Sequence, residues 1–244
     1  MKLMEIYAQY ATPTLSYATV RDYCDSFDNL NYLATTNCDL KDVQRPWVVK
    51  SIISKMPPGS RLLEVGAGQP LVADVLVKLG YQVTVVDPYD GSGNGPSEYE
   101  DFKSRYPDIT IIRKRFSDDL QELETESFDC IYSISVIEHV PISAIPNICN
   151  GIRKFLKRGT GRHIHAIDYV LKGVGDVYAL QLLHHFTDAF GVQQQVVDDL
   201  IRSAADDCET YFLSAEAHNR WKGAVKYDDF PMRRVISLQL SLPL

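Results

Sequence analysis

With 244 residues, 45% hydrophobic and 23% charged, the chain has an ordinary globular composition, which excludes a disordered, collagen-like or low-complexity protein. Twenty-five Lys and Arg against thirty-two Asp and Glu give a net charge of -7, so nucleic acid and anionic membranes are not expected partners. The cysteines Cys24, Cys38, Cys130, Cys149 and Cys208 form no C-x-x-C pair and have no His at a zinc-ligand interval, so neither a disulfide framework nor a metal is expected. No apolar leader follows Met1 and no run approaches ~18 apolar residues. A reduced, cytoplasmic protein without a membrane span is the expectation.

The first forty residues are polar and tyrosine-rich (Tyr7, Tyr10, Tyr17, Tyr23, Tyr32) and read as short helices and loops. From Val43 the apolar positions Trp47, Val48, Ile52, Ile53 and Met56 share a helical face, and Pro57-Pro58-Gly59-Ser60 ends it. Strand and helix then alternate, the pattern of a parallel sheet covered on both faces. Strands are expected at 61–65, 82–86, 109–112, 128–134 and 162–167. Helices are expected at 71–79, at 99–104 and on the face Ile145, Ile148, Cys149, Ile152, Phe155 and Leu156. Two helices, 177–190 and 196–205, come next. Tyr211 to Ser214 and Val235 to Leu240 read as two last strands, joined through His218-Asn219-Arg220-Trp221-Lys222-Gly223.

Chemistry concentrates at Leu62-Leu63-Glu64-Val65-Gly66-Ala67-Gly68-Gln69-Pro70, an apolar strand entering a glycine turn and a helix. Such a turn lets a ligand lie against the backbone and offers it free N–H groups. The dinucleotide fingerprint G-x-G-x-x-G is broken, because Leu71 stands where its third glycine belongs. Glu64 beside the turn would repel a pyrophosphate and attract an ammonium or sulfonium. Asp87 ends the second of these strands twenty-one positions after Gly66, where a carboxylate can accept two hydrogen bonds from a ribose diol.

With Glu64-Val65-Gly66-Ala67-Gly68, Val83-Thr84-Val85-Val86-Asp87 and the segment Ser127 to Val140, the chain resembles the class I S-adenosylmethionine-dependent methyltransferases over residues 43 to 170. The resemblance implies a Rossmann-like, doubly wound, mostly parallel seven-stranded sheet with an antiparallel last strand and an N-terminal helical cap. It implies one domain: cap 1–42, cofactor-binding core 43–170, and substrate-side helices and last strands 171–244. S-adenosylmethionine would be the cofactor and S-adenosylhomocysteine the product. Gly66, Ala67 and Gly68 would shape the turn under it, with Glu64 near its methionine end, Asp87 on the ribose and Pro88 beside the adenine. The position that bonds the adenine amino group falls at Phe116 and Ser117, with the acids Asp118 and Asp119 just after.

Ser135 to His139 would line the floor between cofactor and acceptor, and His139 is either a proton-transfer candidate or a loop and helix cap. In Arg162 to Tyr169, strand alternation puts His163 and His165 on one face, with Asp168 and Tyr169 at the carboxyl edge. His165 could take or hold a proton, and Asp168 and Tyr169, with Tyr17 of the cap, could border the acceptor. The alternative is packing for the histidine and a loop cap for Asp168. Asp129 reads as a strand-start turn residue. The expected reaction is methyl transfer to an O or N atom of a small organic molecule, with a specialised metabolite in biosynthesis preferred, by a monomer or homodimer. A protein or nucleic-acid methyltransferase competes, although the position that carries Asn/Asp-Pro-Pro-Tyr/Phe in amide and adenine methylators reads Ser133-Ile134-Ser135-Val136. An inactive cofactor-binding scaffold is the reading from a different class.

Overall fold

A computed structural model of the protein describes residues 2–36, 39–92, 95–213 and 234–244. Cys38, the Gly93-Asn94 pair of the loop after Asp87, Ser214 and the connection from His218 to Gly223 lie outside the described residues.

Five strands run parallel: β2 (Arg61–Val65), β3 (Gln82–Val86), β4 (Thr110–Ile112), β5 (Cys130–Ile134) and β6 (Arg162–Lys172). β7 (Arg234–Pro243) pairs antiparallel with β6, so the last strand is antiparallel as expected. The seventh strand comes from an unexpected place. Leu15–Tyr17 forms β1 and pairs antiparallel with β7, giving the order β1-β7-β6-β5-β2-β3-β4. Among the described residues, the stretch expected as a strand from Tyr211 makes a single bridge, Phe212 with Ile236, next to that of Thr210 with Thr19. Both segments share one edge of β7: β1 takes Leu238 to Leu240, and Leu213 N–H reaches the Val235 carbonyl at 2.9 Å.

Alternation along the strands divides the core between two layers. Leu62, Cys130, Tyr132, Ile164 and Ala166 face α3 (Lys41–Lys55) and α4 (Leu71–Lys78). Leu63, Val65, Ile131, Ile167 and Tyr169 face α6 (Ile145–Phe155), α7 (Asp176–Asp188) and α8 (Gln194–Asp206). Between β3 and β4 the chain forms α5 (Tyr99–Arg105). The cap contributes α1 (Lys2–Tyr7) and α2 (Val20–Asn29), the latter started by a capping box between Thr19 and Asp22.

The cap is fixed to α3 through a buried charge. The Lys50 side chain is 2% exposed and its Nζ lies 2.8 Å from Asp25 and 3.4 Å from Asp22. The rings of Tyr10 and Tyr7 stand 5.1 and 5.9 Å from the same ammonium. Among the described residues no helix is long and apolar enough to cross a membrane.

Candidate functional site

Beyond Val65 the chain turns through Gly66 (φ 68°) and Gly68 (φ 55°), both in the left-handed region that L residues avoid. At Gly66 there is also no room: a Cβ there would lie 2.6 Å from Val136 Cγ2. Asp87, at the exit of β3, ties this turn to its own loop. Its Oδ2 accepts the Gly68 N–H at 2.9 Å and its Oδ1 the Tyr89 N–H at 2.8 Å. The Tyr89 hydroxyl donates to the Gly68 carbonyl at 2.9 Å, and its buried ring packs against Tyr99 and Phe102.

Outside the carboxyl ends of the parallel strands, where open α/β sheets bind ligands, these loops surround a pocket of about 820 Å³. That volume falls within the range of small-molecule and cofactor sites. Gly66, Ala67, Gly68, Asp87, Pro88, Phe116, Ser135 and His139 all line it. Gly151 leaves space for Phe116, whose ring atom would stand 2.9 Å from a Cβ there. Burial raises the Asp87 carboxyl above its ordinary value, and the two backbone N–H groups oppose that rise.

Other expected residues take different places. Glu64 does not line the pocket; it lies on the α3/α4 face beneath the turn, where its Oε2 accepts the Tyr132 hydroxyl at 3.1 Å. Burial pushes the Glu64 carboxyl up to about 8, against the hydrogen bond from Tyr132 and the charge of Arg45. Ser117 is engaged with Asp119 instead of the pocket. His165 is a correction: its strand position turns it toward α7, where it is buried with its Nδ1 2.7 Å from Ser133 Oγ and its Nε2 3.1 Å from His163. Phe186 packs edge-on against its ring, so it reaches no ligand. Tyr169 is likewise buried on that face, because β6 continues to Lys172 and the expected carboxyl edge is strand interior. Tyr17 belongs to β1 at the far edge and donates to Asp207 at 2.9 Å, away from the pocket. Asp129, as expected, ties strand starts together: its Oδ2 accepts the Arg61 N–H at 2.8 Å.

Asp168 stands directly behind the pocket wall, in a ring of three side chains from three elements. Gln44 Nε2 lies 2.7 Å from Asp168 Oδ1, Ser135 Oγ lies 3.0 Å from the same oxygen, and Ser135 Oγ lies 2.8 Å from Gln44 Oε1. Ser135, which lines the pocket, holds φ 52°, a conformation rare for a non-glycine residue.

Arg45 escaped the sequence reading. It lines the pocket from α3, and among the described residues no hydrogen bond or ion pair closes on its guanidinium. Burial pulls its pKa down, opposed by the more distant charges of Asp39, Glu64 and Asp42. The only trace in the sequence is the i,i+4 pair Lys41 and Arg45, off the apolar stripe, a spacing that also describes any solvated helix face.

Residues 21–173 match the family model described as a methyltransferase domain. The chain is 28% identical over 131 residues to the ubiquinone biosynthesis O-methyltransferase of Nitrosococcus oceani, covering 51% of this chain and 53% of that protein. It is 29% identical over 144 residues to the protein of the same name from Xanthomonas campestris pv. campestris, covering 54% and 56%. The chain thus spans about half the length of the curated relatives it matches. Among solved structures, geranyl diphosphate methyltransferase in complex with SAM superposes with a TM-score of 0.54 at 11% identity, covering 91% of this chain and 90% of that one. Phosphoethanolamine N-methyltransferase 2 of Haemonchus contortus, in complex with S-adenosyl-L-methionine, gives 0.51 at 16% identity over 91% and 60%. At these identities the structural likeness is one of fold.

Proposed function

The chain belongs to the class I methyltransferase-domain family, and from that premise we propose that it transfers a methyl group from S-adenosylmethionine to an O or N atom of a small organic molecule. The observation that carries this reading is one pocket with a half-buried guanidinium, unpartnered among the described residues, and a carboxylate at the exit of the neighbouring strand, separated by a glycine turn. Arg45 suits the carboxylate of the cofactor's methionine part, and Asp87 suits its ribose diol. Gly66 and Gly68 give the left-handed turn that lines the pocket.

When bound, the cofactor supplies an electrophilic methyl sulfonium. What remains for the protein is to align the acceptor with it and to exclude water. Pro88 and Phe116 offer apolar surface for a base, while Ser135 and His139 offer polar atoms at the pocket wall. The same proposal assigns residues 43–170 to the cofactor and the flanking stretches to acceptor choice, in a reducing, cytoplasmic setting that suits the free thiols of Cys24, Cys130, Cys149 and Cys208. Acceptor methylation on oxygen is in keeping with the printed names of the curated relatives.

Calorimetric titration with S-adenosylmethionine and S-adenosylhomocysteine tests the reading, and absence of binding to both overturns it. Arg45→Met and Asp87→Ala should each weaken affinity by about 1 to 3 kcal/mol through loss of a charge-assisted hydrogen bond. Turnover on a panel of catechol, benzoate and benzylamine then asks which acceptor class is used.

A further inference from the structure

Two carboxyl groups next to Ser135 have no assigned task. Both oxygens of Glu138, on the short 3-10 turn Ile137–His139, are buried with no hydrogen-bond partner. The backbone N–H groups of Glu138 itself and of Asp168 face them without closing a bond. An ionised carboxylate left so in the interior is very costly, so this one carries a proton. Its strongest charged neighbour is the other acid, Asp168.

Counting hydrogens in the ring of Gln44, Ser135 and Asp168 gives the second half. The ring has three close contacts. Gln44 supplies one hydrogen and the Ser135 hydroxyl a second. The third contact is then an oxygen facing an oxygen, whichever way round the Gln44 amide is placed. It becomes a hydrogen bond only when Asp168 carries a proton. With Asp168 ionised, the ring is therefore one proton short, and Ser135, one of its members, opens on the pocket.

We propose that Asp168 and Glu138 form a one-proton store behind Ser135, which takes the proton that the acceptor gives up on methylation. The inference rests on the methyltransferase reading above. At rest Glu138 holds the pair's proton, and the place still open for one is Asp168 Oδ1, the oxygen at which the ring is short. As the acceptor atom bonds to the methyl carbon, its own X–H bond breaks and that proton passes to Ser135 Oγ. The hydroxyl proton of Ser135 moves on to Asp168 Oδ1. The electron pair of the broken X–H bond stays on the acceptor atom, and the pair that held the methyl stays on sulfur. A positive sulfonium and a negative carboxylate thus become a neutral thioether and a neutral acid. Asp168 and Glu138 do not touch the acceptor; they act through Ser135.

The neighbourhood supports this assignment. Burial, then Asp168, raises the Glu138 carboxyl well above its ordinary value, and Lys41 from α3 opposes the rise. From β6 the facing acid is Asp168, and from α3 the charged pocket residues are Lys41 and Arg45. His139 is the next residue on the same turn. Neutral Glu138 keeps the pair from carrying two charges, which leaves Asp168 free to accept.

Infrared difference spectroscopy across pH, in H2O and D2O, tests the store without any acceptor. The wild type should show two protonated-carboxyl bands at neutral pH: one from buried Glu64, and a second that is lost in Glu138→Gln and kept in Asp168→Asn. A further carboxyl band should grow in on acidification and be missing in Asp168→Asn. No neutral-pH acid band that is lost in Glu138→Gln, or no band assignable to Asp168, would each overturn the proposal. With an acceptor that the panel turns over, Asp168→Asn should lower kcat by about 10²-fold or more and remove the acidic limb of its pH profile. S-adenosylhomocysteine affinity should stay within about 2-fold of wild type; an unchanged acidic limb overturns the relay. The titration with S-adenosylhomocysteine reads the methyltransferase assignment separately, since lost binding with the Glu138 and Asp168 bands in place sinks that reading alone.

Discussion

The two halves of the sheet are built on different plans. On one side, β2 and β3 deliver their functional groups from two short contiguous stretches, Glu64 to Gly68 and Val83 to Asp87, closed by hydrogen bonds between neighbouring loops. On the other side, β6, β7 and β1 come from the middle and both ends of the sequence. Their interior carries polar side chains: His163, His165, Ser237 and Gln239 are all buried. The first half keeps its pocket-facing polar atoms at the strand ends, with Glu64 buried beneath the turn, whereas the second buries its two histidines against the rings of Phe186 and Phe190. A sheet of one topology can thus divide its labour, with ligand chemistry on the parallel side and a polar, pH-sensitive interior on the antiparallel side.

The sharpest way to break the first half is Gly66→Val. The new side chain meets Val136 and must hold φ 68°, so a loss of about 3 kcal/mol or more in unfolding free energy is expected, together with loss of cofactor binding. Urea denaturation and calorimetry read the two losses separately, and a stable variant that still binds would mean that the turn relaxes.

The second half should break with acid. Burial holds His165 down at about 3, and burial with the neighbouring His165 holds His163 well below its ordinary value. A folded value below the unfolded ~6.5 means that both histidines leave stability intact above pH ~6.5. Below it the unfolded chain binds the extra proton, and stability falls until the folded value is reached near 3. For His165 alone the loss at pH 5 is about 2 kcal/mol. Urea midpoints at pH 7 and pH 5 measure it, and His165→Gln should flatten the dependence. A slope unchanged by that substitution would place the acid sensitivity elsewhere.

The smallest expected effect concerns the outermost strand. Ser16 Oγ donates to Gln239 Oε1 at 2.8 Å across the β1–β7 pair. Ser16→Ala leaves that buried acceptor without its donor and should cost about 1 kcal/mol, with no change in cofactor affinity. A change in affinity would show that the two halves are coupled.

The same division explains what could be read from the sequence. Gly66, Gly68 and Asp87 were legible because a turn and a strand end impose glycine and acid at fixed spacing along one stretch of chain. Leu15–Tyr17 was not, since three residues carry too little alternation to mark a strand and their partner lies at the opposite end of the sequence. Tyr211 onward has the composition of a strand, yet β1 already occupies most of the β7 edge it would need. Arg45, Gln44 and Glu138 were hidden for another reason. Their roles exist only once α3, the turn after β5 and β6 come together, and no local spacing records that meeting. His165 had the right neighbours in sequence and the wrong face, because a two-residue period decides which layer a strand residue enters.

The partnership of Leu15 with Leu240 also has a meaning in time. A ribosome adding ~5–20 residues per second makes the first of these residues roughly 10 to 45 s before the second. All five parallel strands, from Arg61 to Lys172, have been made before β7. Throughout that interval β1 is without its mate, and over its last part, after Lys172 is made, the outer edge of β6 is uncovered too, so this border is where a chaperone or a stray strand from another chain would find its hold.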